Sequence, residues 1–285
     1  MLEKHKNNKK SKLKNRIKQV EENRVCGISI SNPDRILFLE NKITKLDLAK
    51  YYENVAKKML PYLRNRPLVV IRCHSNYLGE KFFKKHAEKS EDVYRFFADK
   101  NKNASNEFFY INTKKQLINQ VRLGTCEFHI WNAKVDNLEF PDTLIFDLDP
   151  DENLEFERLV VGAKLIRKTL KDLGLKSSLK TSGGKGYHIY TKVENLTYKK
   201  LNKLAKEIAL FLENKYPQIF TTNIKIKERK DKIFIDYLRN KKGATYVCPY
   251  SVRLKKNAPI SFPIPWSKLD KIKPNEVTIK NYKDY

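Results

Sequence analysis

No stretch of this 285-residue chain approaches the ~20 apolar residues that cross a bilayer, and its start carries no apolar segment of the secretory kind. No membrane partner is expected, and the expected location is the cytoplasm. The four cysteines, Cys26, Cys73, Cys126 and Cys248, are scattered without C-x-x-C spacing, which argues against a zinc site and against a disulfide framework. All four read as reduced, structural residues. Acidic residues are scarce: 33 Asp and Glu stand against 59 Lys and Arg, a net charge of +26. That field disfavours a basic partner and favours a polyanion, although a Lys-, Asn- and Ile-rich genome would also raise the basic count. There is no internal repeat. The one low-complexity stretch is residues 1–24, where nine Lys or Arg accompany three Glu; it reads as a flexible basic tail adding sequence-independent attraction for phosphates.

What remains is a chain built to fold. It is 40% hydrophobic with 15 Tyr and 15 Phe, enough for one folded domain over residues 25–285. Residues 25–140 read as a mixed α/β module. A helix over 43–63, capped by Thr44, has apolar residues at Leu46, Ala49, Tyr52, Ala56 and Leu60, and strands are expected at 67–72, 106–111 and 127–131. A charged and aromatic segment lies at 79–86.

Residues 141–285 have a clearer rhythm. A strand at 143–147 is followed by a helix with inward positions Phe156, Leu159, Ala163, Ile166, Leu170 and Leu173, closed by Gly174. A strand at 176–181, a Gly-rich turn and a strand at 187–193 come next. A helix carrying Leu201, Leu204, Ile208 and Phe211 then precedes a strand at 232–237. The order β-α-β-β-α-β predicts a ferredoxin-like (RRM-like) α+β module whose first strand lies between the third and fourth, antiparallel to both. Asp147, Asp149, His188 and Asp236 should then meet at one edge of the sheet.

Asp147 and Asp149 sit two apart after an apolar run, so both fall on one face of a strand end. Alone, the pair reads equally as a solvated strand end with a turn-forming Asp before Pro150. Asp236 follows the apolar Ile233-Phe-Ile235, where a carboxylate needs a partner, and the topology brings it to the pair. Three carboxylates supply only oxygen ligands, which suits two divalent ions, Mg²⁺ or Mn²⁺, and in-line phosphoryl transfer. In Thr181-Ser-Gly-Gly-Lys-Gly-Tyr-His188 the glycines permit close backbone approach, and Ser182, Lys185 and His188 can donate to phosphate oxygens; a plain hairpin turn is the alternative. Taken singly, His129 reads as a structural histidine, and Arg239, Arg253 and the pair Lys241, Lys242 read as surface charges.

Seven ordered motifs resemble the polymerase domain of bacterial DNA ligase D, within the archaeo-eukaryotic primase superfamily: Asn32-Pro-Asp-Arg-Ile-Leu-Phe38, Glu80-Lys-Phe-Phe-Lys-Lys-His86, Glu127-Phe-His-Ile-Trp131, Asp147-Leu-Asp149, Ser182 to His188, Phe234-Ile-Asp-Tyr-Leu-Arg239 and Pro249-Tyr-Ser-Val-Arg253. The resemblance runs from about residue 32 to about 269 and implies the primase-polymerase fold. It implies metal ligation by Asp147, Asp149 and Asp236, and nucleotide contacts from His129, Ser182, Lys185, His188, Arg239 and Arg253. It further implies template stacking by Phe82 and Phe83 and a 5′-phosphate pocket at Arg35 and Lys45, the first of which is often Lys in the family. The implied activity is filling gaps and extending ends in non-homologous end joining, with NTP or dNTP, on DNA carrying a 5′-phosphate, beside Ku and a separate ligase, at the nucleoid. The chain shows no ligase or nuclease module. Unprimed synthesis by a primase, and a catalytically silent DNA-end scaffold, are the competing expectations.

Overall fold

The computed structural model describes residues 21–98 and 107–285, so the basic tail as far as residue 20 lies outside it. Arg24, at the end of the expected tail, already pairs with Ser29 in a ribbon of β1 (Arg24–Val25) and β2 (Ile28–Ser29). A second ribbon, β3 (Ile36–Phe38) with β4 (Ile43–Thr44), delivers the chain into helix α1 (Lys45–Leu63). Thr44 caps that helix as expected. Its Oγ1 accepts from the Asp47 amide at 3.1 Å, while the Asp47 carboxylate accepts from the Thr44 amide at 2.9 Å, which satisfies two otherwise orphaned donors.

The chain then enters β5 (Leu68–Cys73), a largely apolar run that pairs with β6 (Lys81–Lys84) on one side. After a ribbon of β7 (Tyr94–Phe97) and β8 (Glu107–Tyr110), a helix that the pattern does not announce, α2 (Lys114–Arg122), leads into β9 (Thr125–Ile130) on the other side of β5. Helix α2 is only nine residues long and polar along most of its length; Thr113 and Gln116 cap it reciprocally.

The second half forms as the element order predicts. Strand β10 (Thr143–Pro150) is followed by α3 (Phe156–Asp172), β11 (Ser177–Thr181), β12 (Tyr187–Lys192), α4 (Tyr198–Lys215), the short β13 (Phe220–Thr221) and β14 (Ile233–Asp236). Strand β10 lies between β12 and β14, antiparallel to both. The sheet is wider than expected. β13 adds to β14 in parallel and, further along the chain, β16 (Pro263–Ile264) adds to β11, for six strands in all. Between these lies β15 (Tyr246–Val247), which joins β9 in the first sheet, so the two halves share strands across the expected boundary at 140.

Leu144, Phe146 and Leu148 of β10 are fully buried and alternate with Asp147 and Asp149, which point to the opposite face. On the helix side, Gly162 of α3 leaves room for Ile233 and Phe220, whose atoms a Cβ there would meet at 2.4 and 3.2 Å. Two positions expected to face inward do not. Leu173 is 54% and Phe211 50% exposed, and with Leu204 they line an open groove of about 350 Å³ between α3 and α4. Helix α4 turns Ala205, Ala209 and Leu212 to the sheet instead, and Leu173 falls just past the end of α3, beyond the last turn that the sheet covers. The Gly174 closure holds, with φ +77° and the Leu175 amide donating to Leu170 O at 2.8 Å. Cys73, Cys126 and Cys248 are buried, Cys26 is half-buried, and all four are free thiols. No helix among the described residues is long and apolar enough to cross a membrane.

Candidate active site

Three strand registers assemble the site. Asp147 is the cross-strand partner of His188 on β12 and of Asp236 on β14, and His188 is in turn the partner of Lys180 on β11. Lys180, His188, Asp147 and Asp236 therefore form one row across the sheet, on the face away from the helices. Asp149 and Phe234 form the adjacent row. Apart from the fully buried Lys180, these residues floor a cleft of about 590 Å³ walled by the 182–186 loop and by Arg239, Arg253, Lys255 and Lys256.

The loop folds as its composition suggests. A Cβ on Gly186 would stand 1.6 Å from the Leu148 carbonyl oxygen, so only glycine lets the loop cross β10 this closely. Gly183 has φ +65°. Ser182 Oγ accepts from the amides of Gly184 at 3.0 Å and Gly186 at 3.3 Å, which fixes the loop and leaves the hydroxyl proton free to donate.

Each carboxylate faces cations. Asp147 lies 3.3 Å from His188 Nε2 and 3.5 Å from Arg239 Nε. Burial alone would raise its pKa, but His188, Arg239 and Lys180 outweigh this and hold it well below the usual range. Asp236 shifts the other way. Burial raises it, Arg239 at 3.1 Å opposes, and the charge of Asp147 raises it further. Asp149 is flanked by Arg229 at 3.0 Å and Lys185 at 3.5 Å. The three carboxylates do not close into a ready-made cage, and among the described residues no group of three His, Cys, Asp or Glu side chains is spaced to hold an ion. Their chemistry nevertheless fits hard divalent cations: the donors are all oxygen, two share one strand face and the third is a register partner. The Nε of Arg239 is buried between two of them without a hydrogen-bond partner among the described residues, so the cation now bridging Asp147 and Asp236 is loosely held.

The expected nucleotide contacts divide between the cleft and a neighbouring anchor. Ser182, Lys185, His188, Arg239 and Arg253 all line the cleft. His129, on β9, points away from the buried Phe128 and Ile130 as its alternation implies, and its Nε2 lies 2.9 Å from Glu127 Oε2. The same oxygen accepts from Arg253 Nε at 3.0 Å, while Arg253 NH1 donates to Ser182 O at 2.7 Å. Glu127 thus ties His129, Arg253 and the glycine loop together. Burial would raise its carboxyl, but the hydrogen bond from His129 and the charge of Arg253 bring it down to about 2.

In the sequence Glu127 is only the first residue of a motif; its role depends on contacts 126 residues apart. Three more functional candidates escaped the sequence reading. Lys180 read as an ordinary strand residue, although it is fully buried. Arg229 lies over the Phe234 ring at 3.8 Å and reaches Asp149 from a loop with no periodic pattern. Lys255 follows Arg253 by two positions, and burial together with Arg253 lowers its pKa. A basic run after an arginine was the only available signal for it.

The remaining expected residues lie outside the cleft. Arg35 and Lys45 come together, the Lys45 amide donating to Arg35 O at 2.9 Å. Lys45 is 2% exposed, and its ammonium donates to Ser31 Oγ at 3.1 Å and Arg122 O at 2.5 Å. Burial and the nearby Arg35 charge lower it to about 8. Phe82 and Phe83 are successive residues of β6 and so face opposite sides. Phe83 is 72% exposed, whereas Phe82 packs 5.2 Å from the His74 ring.

With this geometry in hand, comparisons with known proteins agree with one another. The family described as LigD, primase-polymerase domain, matches residues 44–285. The chain is similar to the multifunctional non-homologous end joining protein LigD of Pseudomonas aeruginosa, at 35% identity over 87% of this chain and 30% of that protein. It is also similar to the bifunctional non-homologous end joining protein LigD of Bacillus subtilis, at 32% identity over 84% of this chain and 39% of that one. It therefore spans about a third of the length of these relatives. Among solved structures, the polymerase domain of Mycobacterium tuberculosis ligase D in complex with DNA superposes with a TM-score of 0.82 at 26% identity, covering 91% of this chain and 93% of that one. The family match extends past residue 269, where the resemblance read from the sequence ends, to residue 285.

Proposed function

The chain belongs to the LigD primase-polymerase family, and on that premise we propose that it is a template-dependent nucleotidyltransferase that fills gaps and extends DNA ends in non-homologous end joining. The observation that carries this is the register of Asp147 against Asp236 and His188, which places two carboxylates and an imidazole beneath a glycine-rich loop and among the cations of Arg239, Arg253 and Lys185. An attacking hydroxyl, a triphosphate and charge neutralisation all have counterparts in such a cleft.

Two divalent ions, Mn²⁺ or Mg²⁺, held by Asp147, Asp149 and Asp236 would supply activation of the attacking oxygen and neutralisation of the leaving one. The chain's own groups do the rest. Ser182 Oγ–H, the Lys185 ammonium and His188 donate to phosphate oxygens, and Arg253, anchored by Glu127, brings a forked donor to the same wall. Arg239 Nε, lacking a hydrogen-bond partner among the described residues, is free to turn from the carboxylates to an incoming phosphate. His129, tied to Arg253 through Glu127, is a further nucleotide contact. Arg35 and Lys45 grip the 5′-phosphate across a gap, and Phe83 offers an exposed ring to template bases. Residues 25–285 act as one catalytic unit, the basic tail adding backbone attraction, with Ku and a DNA ligase as partners in the cytoplasm.

Primer extension on a gapped duplex with a 5′-phosphate, in Mn²⁺ or Mg²⁺ and with NTP or dNTP, tests the reading. Asp147→Ala and Asp236→Ala should abolish extension with the fold intact. Normal extension by either folded variant overturns it.

A further inference from the structure

Lys180 sits at the end of the charged row, outside the groups that line the phosphate-binding wall. It is fully buried, its ammonium 2.9 Å from His188 Nδ1, 2.6 Å from Ser261 Oγ and 6.0 Å from the centre of the Tyr246 ring. A buried ammonium is costly unless its protons are used, and a methionine would fill the same space without that cost. Something must use those protons.

The hydrogen-bond chain identifies their destinations from both ends. Ser261 Oγ lies 3.0 Å from the Thr181 carbonyl oxygen, which can only accept, so the Ser261 proton goes there and the hydroxyl accepts from Lys180. At the other end Asp147 is a carboxylate and also only accepts, so the proton on His188 sits at Nε2, 3.3 Å from Asp147 Oδ1. A neutral imidazole protonated at Nε2 presents a lone pair at Nδ1, and the donor standing before it is Lys180. With a neutral imidazole, both ends give the same assignment: Lys180 donates to Ser261 and to His188.

We propose that Lys180 is a positioning residue for His188. It holds the imidazole as the Nε2–H tautomer, with its plane set by the Lys180–His188 register pair, so that the ring delivers a proton donor into the cleft beside Asp147. The tautomer is a property of the chain alone, whereas its consequence for nucleotide binding rests on the polymerase reading above. Without Lys180 the Nδ1 lone pair would be buried without a donor. The ring would then carry its proton at Nδ1 in part of the population and offer the cleft an acceptor facing carboxylate and phosphate oxygens.

The test pairs a spectrum with a kinetic cycle on the full chain. Imidazole ¹⁵N–¹H correlation spectra of the metal-free protein at neutral pH should show His188 as the Nε2–H tautomer. In Lys180→Met the signal should shift toward the Nδ1–H form. In Mn²⁺-dependent extension, Lys180→Met should raise the nucleotide KM about tenfold with a smaller change in kcat. The same substitution in a His188→Ala background should add nothing. Lys180→Gln, which keeps an N–H donor without the charge, should retain most of the affinity, and it is read in place of the Met variant if that one does not fold. An unchanged His188 tautomer in the folded variant, or a KM penalty that persists undiminished in His188→Ala, overturns the proposal. A chain with no polymerase activity would overturn the reading above and leave the spectrum to decide this one.

Discussion

Asp147 and Asp236 are directly opposed partners on antiparallel strands, and the Nε of Arg239 lies 3.5 Å from one carboxylate and 3.1 Å from the other. Two anionic groups in one buried row, bridged by a nitrogen outside good hydrogen-bond geometry, store repulsion in the metal-free protein.

Replacing one member should release it. Asp236→Asn is expected to stabilise the metal-free chain by about 1 kcal/mol while eliminating primer extension. The carboxyl of Asp236 is raised by burial and by Asp147, so its charged form opposes folding at neutral pH. Denaturant melts with a chelator present, run beside the extension assay, measure both effects. A destabilised Asn variant would count against stored repulsion.

Glu127 should contribute in the opposite sense. Its carboxyl titrates at about 2 in the folded protein, below the ordinary 4.5, because His129 and Arg253 overcome the cost of burial. The unfolded chain therefore binds the proton more readily, and the stabilisation is full above about pH 4.5 and lost as pH falls toward 2. Glu127→Gln should cost about 3 kcal/mol at pH 7, and the difference from the parent should shrink across that acid window. A parallel offset at every pH would place the effect elsewhere.

At the Arg35 and Lys45 pair, Lys45→Ala should weaken binding to 5′-phosphorylated gaps more than to unphosphorylated ones. Burial and Arg35 set Lys45 at about 8, so in the parent protein the preference for the phosphorylated end should decline from pH 7 to pH 9 as the ammonium is lost. Fluorescence anisotropy on the two substrates reads this directly. Equal losses on both would reduce Lys45 to a general backbone contact.

Gly186→Ala tests the loop. The added methyl would collide with the Leu148 carbonyl at 1.6 Å, backbone against backbone, and the loop must lift off β10. Nucleotide KM should rise at least about tenfold, with a stability loss of about 2 kcal/mol or more. Gly174→Ala, at a helix end with open space around it, serves as a control that changes stability alone.

Much of this organisation is local and was therefore legible. Period-2 alternation put Asp147 and Asp149 on one face, glycines marked the 183–186 turn, Thr44 and Gly174 marked helix ends, and the β-α-β-β-α-β order placed β10 between β12 and β14. Each of these follows from spacing within one element or from the few topologies that such an order allows. Tertiary structure decided what alternation leaves open, namely which side chain stands across the next strand. Lys180 became the partner of His188 only through the β11–β12 register, and Glu127 joined His129 to Arg253 only because β9 lies against a segment 126 residues away. The two-residue strands β13, β15 and β16 are too short to carry any period, so they widened the sheets unannounced. The outward turns of Leu173 and Phe211 likewise depended on how far the sheet beneath them extends, which helical spacing does not encode. Sequence thus determined the carboxylates, the loop and the sheet order; long-range register, a property of paired strands and not of any one of them, decided which buried cations and anions hold those groups in place.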